Sequence, residues 1–181
     1  DRQMRKQAYS ILVHNNPGLL SRMSGLFSRR GYNIESITAG TTADARYTRI
    51  TIVASGDEQI LEQIEKQVRK MEDVIDIKFL NDGNSVFREL MMIKLRVGAS
   101  ERAEVVSVAD IFRARVVNVE KDCLIIELTG TESKLEAFLA LLDGYEILEL
   151  ARTGLTGLTR GVDDVVYVGT EKDRKLGAEG L

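Results

Sequence analysis

Strand-like and helix-like runs alternate along this chain in one fixed order, and that order is gone through twice. Tyr9 to His14 reads as a strand. Leu19, Leu20, Met23, Leu26 and Phe27 then recur at helical spacing, and Arg29-Arg30-Gly31 supplies the basic last turn and left-handed cap that end a helix. Asn33 to Thr41 and Tyr47 to Ala54 read as two strands around a turn at Thr42 to Ala45. Gly56-Asp57 opens a second helix with Ile60, Leu61, Ile64, Val68 and Met71 on one face, and Val74 to Leu80 is a fourth strand. The sequence βαββαβ is that of the ferredoxin-like split unit, with both helices on one face of an antiparallel sheet.

Asn81-Asp82-Gly83-Asn84-Ser85 is a break rich in turn residues. Beyond it the pattern predicts a strand over Leu90 to Val97, a helix over Ser100 to Phe112 and strands over Arg115 to Val119 and Cys123 to Leu128 around Lys121-Asp122. A helix capped by Thr131 and ended by Gly144 follows, then a last strand over Ile147 to Ala151. The expected architecture is α+β, two tandem ferredoxin-like domains at residues 1–80 and 86–161, with 162–181 as a flexible tail. Arg152 to Gly161 carries spaced glycines, but neither a lysine-serine nor a lysine-threonine pair follows and no helix opens on it. An exposed loop or docking arm is expected there rather than a nucleotide cradle.

The 181 residues carry a net charge of −3, which argues against general nucleic-acid affinity, and no apolar run reaches bilayer length. A polar start, Asp1 to Gln7, without an apolar signal core makes the cytoplasm the expected location. The single cysteine, Cys123, excludes an internal disulfide and is expected to be structural, and with the single histidine, His14, it makes a poor metal site. No cofactor is expected on this chain.

Chemistry concentrates at Asn15-Asn16-Pro17-Gly18-Leu19-Leu20, between the first strand and the first helix. Asn16 suits an N-cap, Pro17 the first helical position, and Gly18 a close backbone approach. Free amides and the partial positive charge of a helix start would hold a carboxylate or phosphate. Asn33, beginning the second strand, is expected at the same sheet end. Asn15 and Asn33 would supply amide groups, and Leu19, Leu20 and Ile34 an apolar wall, together suiting an amino acid. The same residues equally suit a helix start and a turn that bind nothing. His14 is expected either to touch a ligand or to place the turn.

The blocks Asn15-Asn16-Pro17-Gly18-Leu19-Leu20-Ser21-Arg22 and Leu26-Phe27-Ser28-Arg29-Arg30-Gly31-Tyr32-Asn33-Ile34-Glu35-Ser36 closely resemble the ACT domain of the regulatory small subunits of acetolactate (acetohydroxyacid) synthase. Gly56-Asp57-Glu58, Arg88-Glu89-Leu90-Met91, Gly130-Thr131 and Ala151-Arg152-Thr153-Gly154 extend the resemblance over residues 7–161. The resemblance implies a non-catalytic subunit that stimulates a catalytic large subunit using thiamine diphosphate, FAD and magnesium, and subjects it to feedback by valine or another branched-chain amino acid. It implies a homodimer through the ACT domains, with Asn15, Gly18, Leu19, Leu20, Asn33 and Ile34 lining an effector held between two copies. A generic ACT-type regulator of another metabolic enzyme is the alternative. An acyl-phosphate hydrolase on this scaffold would want an arginine in the anion loop, and the first here is Arg22, inside the helix. An RNA-binding module would want exposed aromatics and a basic face.

Overall fold

The computed structural model describes residues 3–162, so the expected tail over 162–181 lies, but for its first residue, outside the described residues. The chain divides into two compact units between Val86 and Phe87, and the described residues after Thr156 group with the first.

The first unit comprises β1 Arg5–His14, α1 Leu19–Arg30, β2 Asn33–Thr41, β3 Tyr47–Gly56, α2 Glu58–Arg69 and β4 Val74–Leu80. The strands order as β2-β3-β1-β4, each pair antiparallel. Period-2 alternation puts Tyr9, Ile11 and Val13 of β1 and Ile50, Ile52 and Ala54 of β3 in one core. Met23 and Phe27 of α1 and Leu61, Ile64 and Val68 of α2 close over them. The hydroxyl of fully buried Tyr9 donates to the Leu61 carbonyl at 2.7 Å, and burial pushes its pKa well up. Asp57 caps α2, its carboxylate accepting the Ile60 N–H at 2.9 Å. At the end of α1, Gly31 at φ 66° lets its own N–H reach Ser28 O and the Tyr32 N–H reach Phe27 O, the paired bonds of a Schellman motif.

The second unit carries β5 Ser85–Arg96, α3 Arg102–Ile111, β6 Arg115–Val119, β7 Cys123–Gly130, α4 Glu132–Leu141 and β8 Glu146–Arg152. The order β6-β7-β5-β8 is the same permutation as in the first unit. Met91, Ile93 and Leu95 meet Val105, Ala109, Leu135 and Phe138 in a separate core. The tandem ferredoxin-like architecture expected from the element order is therefore the observed one.

Three features differ from expectation, the first being that β1 starts at Arg5 rather than Tyr9. β5 starts at Ser85 rather than Leu90 because Asn81 and Asn84 close the preceding turn on themselves, each backbone N–H donating to the other's side-chain oxygen at 2.9 and 3.0 Å. The polar pair Arg88-Glu89 hides this start in the sequence, yet Glu89 is buried and chelated by Arg152 at 2.9 and 3.1 Å. The presumed arm after Arg152 contains β9 Thr156–Thr159, which pairs with β5 and buries Gly157. Its glycines serve strand packing and a turn.

Candidate effector site

β1 ends at His14, and the chain must reverse within four residues to begin α1 at Leu19. It does so through a tight turn. The Leu19 N–H donates to Asn16 O at 3.3 Å, and Gly18 sits at φ 77°, ψ 4°, the third-position geometry of a type II turn with Pro17 before it. The helix cap is consequently Gly18, without any side-chain cap, rather than Asn16, and Pro17 lies outside the helix instead of at its first position. The physical reason is a competing partner: the Asn16 amide donates to Asp73 Oδ1 at 2.8 Å. Because a carboxylate only accepts, that bond also fixes which way the Asn16 amide points.

With no side chain over them, the amides of Gly18, Leu20 and Ser21 have no acceptor among the described residues. They start a helix whose first turn contains no acidic residue, so the partial positive charge there is uncompensated locally. Asn15 is anchored to the β2–β3 loop, its N–H on Arg46 O at 2.7 Å and its Nδ2 on Ala45 O at 3.2 Å, which leaves its side-chain oxygen as an open acceptor. Leu20 is half exposed beside the turn, whereas the Leu19 side chain is buried in the first core.

Asn33 is exposed, with Nδ2 donating to Ser55 Oγ at 2.7 Å and Glu35 Oε1 at 3.1 Å, and again the oxygen is left open. Ile34 is half-buried against the core edge. Asn33 does not share the sheet end of the turn, contrary to the sequence expectation. His14 pairs with Tyr47, whereas Asn33 pairs with Ser55 at the far end of the same strand. Eight residues of strand separate the two levels, roughly 26 Å at about 3.3 Å per residue. The cause is topological: α1 runs back along the sheet, so β2 begins where β1 begins. Within one chain the structure brings together Asn15, Gly18, Leu19 and Leu20, and separately Asn33 and Ile34.

A hollow beside the turn is lined by His14, Asn16, Arg22, Leu26, Arg29, Met71, Glu72 and Asp73. His14 is exposed there with its ring 5.4 Å from that of Tyr47. Among the described residues no cluster of histidine, cysteine and carboxylates is arranged to hold a metal, and no helix is long and apolar enough to cross a membrane.

Two family models match the chain: the small subunit-like ACT domain of acetohydroxyacid synthase over residues 9–76, and the small subunit of acetolactate synthase over residues 88–161. A probable acetolactate synthase small subunit of Methanothermobacter thermautotrophicus is 48% identical over 153 residues, covering 84% of this chain and 91% of that protein. The chain belongs to the acetolactate synthase small-subunit family. The isozyme 3 small subunit of Escherichia coli is 45% identical over 157 residues, covering 86% and 96%. The crystal structure of the acetolactate synthase small subunit from Thermotoga maritima aligns with a TM-score of 0.81 at 38% identity, over 87% of this chain and 99% of that one.

In this small-subunit chain the turn residues lie inside the segment matching the ACT model, as do Arg22, which the sequence placed inside the helix without a role, and Asp73, which sequence reading passed over. Arg22 follows Gly18 by one helical turn, and its guanidinium donates to Pro17 O at 3.1 Å and to Asp73 Oδ2 at 2.9 and 2.7 Å. That one-turn spacing was a usable signal. For Asp73 none existed locally, since it stands 57 residues from Asn16. Hydrogen bonds from Asn16 and then Arg22 hold its carboxyl below the ordinary aspartate value.

Proposed function

We propose that this chain is the non-catalytic regulatory subunit of an acetolactate synthase, stimulating a catalytic large subunit and subjecting it to feedback by valine or a related branched-chain amino acid. Thiamine diphosphate, FAD and magnesium belong, in this reading, to the large subunit, and the complex works in the cytoplasm. Membership of the small-subunit family supports the role. The observation that carries the effector is the donor–acceptor pattern: uncapped helix amides at Gly18, Leu20 and Ser21 suit a carboxylate, while the open oxygens of Asn15 and Asn33 suit an ammonium.

The two asparagines stand at opposite sheet ends, so one effector meets both only if a second copy takes part. β2 is an edge strand with Ile37 at its middle, 42% exposed. Two such edges paired antiparallel about a two-fold axis near Ile37 set Asn33 of one copy level with Thr41, and hence with the turn, of the other. A homodimer with two shared effector sites follows.

Titration calorimetry of the whole chain with valine, leucine and isoleucine at millimolar concentration is expected to show binding of at least one. Silence with all three removes the effector from the proposal. Asn33→Ala, which deletes an exposed amide, is expected to weaken that binding about tenfold or more, with the unfolding midpoint nearly unchanged. Copurification with the catalytic subunit, in the presence and absence of valine, tests the partner.

A further inference from the structure

Asp73 sits on the loop between α2 and β4, 8% exposed, and holds the turn at three places. Its backbone oxygen accepts the His14 N–H at 2.8 Å, Oδ1 accepts Asn16 Nδ2 at 2.8 Å, and Oδ2 accepts Arg22 Nε and Nη2 at 2.9 and 2.7 Å. Arg22 returns the connection to the turn through Pro17 O. One residue, through its backbone oxygen and both carboxylate oxygens, thus secures His14 and Asn16 before the Pro17-Gly18 corner and Arg22 after it.

The contact with Asn16 has a chemical consequence. Left to itself, an asparagine two residues before a glycine and three before a leucine at a helix start turns its side-chain oxygen onto the amides two and three positions on. Here those amides belong to Gly18 and Leu19, and the first of them is one an effector carboxylate needs. Bound to Asp73, the Asn16 side chain cannot reach them, and Gly18 takes the cap position with no side-chain bond.

We propose that Asp73 is a positioning residue of the effector site, which keeps Asn16 from capping its own helix and so leaves the Gly18 amide free for the ligand. The proposal rests on the reading of the turn as half of an effector site. Asp73 touches no ligand in it. Removing the carboxylate releases Asn16 into the site as an intramolecular competitor, and affinity falls by the population of the self-capped form.

The test compares wild type, Asn16→Ala, Asp73→Ala and Asn16→Ala/Asp73→Ala as whole chains, with valine calorimetry and hydrogen exchange at the Gly18 amide. Asp73→Ala is expected to lose about fivefold in valine affinity, the factor a single capping bond imposes as competitor, and to slow exchange at Gly18. Asn16→Ala alone is expected to leave both near wild type. The double variant is expected to regain most of the affinity and the fast exchange, since alanine cannot cap. A purely structural Asp73 predicts a double variant no better than Asp73→Ala, and that result overturns the proposal. So does unchanged exchange at Gly18 in Asp73→Ala. If wild type binds no branched-chain amino acid, the effector reading fails by itself, and the exchange pattern still decides whether Asp73 governs Asn16. Should Asp73→Ala not fold, Asp73→Leu, of similar size and without an acceptor for Asn16, takes its place with the same direction of change expected.

Discussion

Gly18 does two things that an alanine could not do without cost. At φ 77° it occupies the left-handed region, and a Cβ there would stand 3.2 Å from Arg22 Nη1, crowding the guanidinium that grips Pro17 and Asp73. Gly18→Ala is therefore expected to destabilise the first unit by about 1–2 kcal/mol, seen as a lower urea midpoint with an unchanged slope, and to weaken valine binding by displacing Arg22. Loss of binding without loss of stability would place the glycine's role at the ligand alone. The glycine was legible in the sequence because Pro-Gly carries its own backbone preferences. The misreading of Asn16 was of a different kind. Its local chemistry did favour a cap, and a carboxylate 57 residues away outcompeted it. Local propensity is a prior that a tertiary partner can overrule, and the residue where it was overruled lies next to the candidate site, held away from it by Asp73.

The elements themselves were read nearly as they stand where a clear period meets a chemical stop: Gly31 caps the end of α1, Asp57 the start of α2, and Thr131 the start of α4. These caps are not equal. Asp57 is buried to 7% and accepts the Ile60 N–H at 2.9 Å, whereas Thr131 is exposed and its bond from Lys134 N is 3.4 Å. Asp57→Ala is expected to cost about 1–2 kcal/mol and Thr131→Ala about 0.5 kcal/mol or less, measured as shifts in chemical unfolding followed by far-ultraviolet dichroism. Equal shifts would show that cap geometry does not set the difference. What period and caps do not encode is direction. β2 was legible as a strand, but its place relative to the turn required the knowledge that α1 doubles back over the sheet, so Asn33 was assigned to the wrong end. The start of β5 was missed for a related reason: a buried Glu89 looks like loop until its Arg152 partner is known.

At the scale of the whole molecule, two units share one strand permutation while keeping separate cores, and the uncapped helix start of the first, α1, has no acidic residue in its first turn, whereas that of α3 in the second has Glu104. If the two asparagines, split across sheet ends, serve one effector, assembly becomes part of binding, and a monomer holds half of each of two sites. If two copies join through β2, dimer formation and effector binding are linked, each favouring the other. Ile37 stands at the centre of that edge, and a lysine there places like charges opposite one another across the two-fold axis. Its 42% exposure means that the first core loses little by the change. Ile37→Lys is expected to sediment as a monomer at concentrations where the wild type is a dimer, to keep its far-ultraviolet spectrum, and to lose valine affinity by more than tenfold. Added valine is expected to shift wild type further toward the dimer and to leave the variant monomeric. A monomeric Ile37→Lys chain that bound valine as tightly as wild type would show that one copy suffices, and that Asn33 serves its own strand end rather than a shared site.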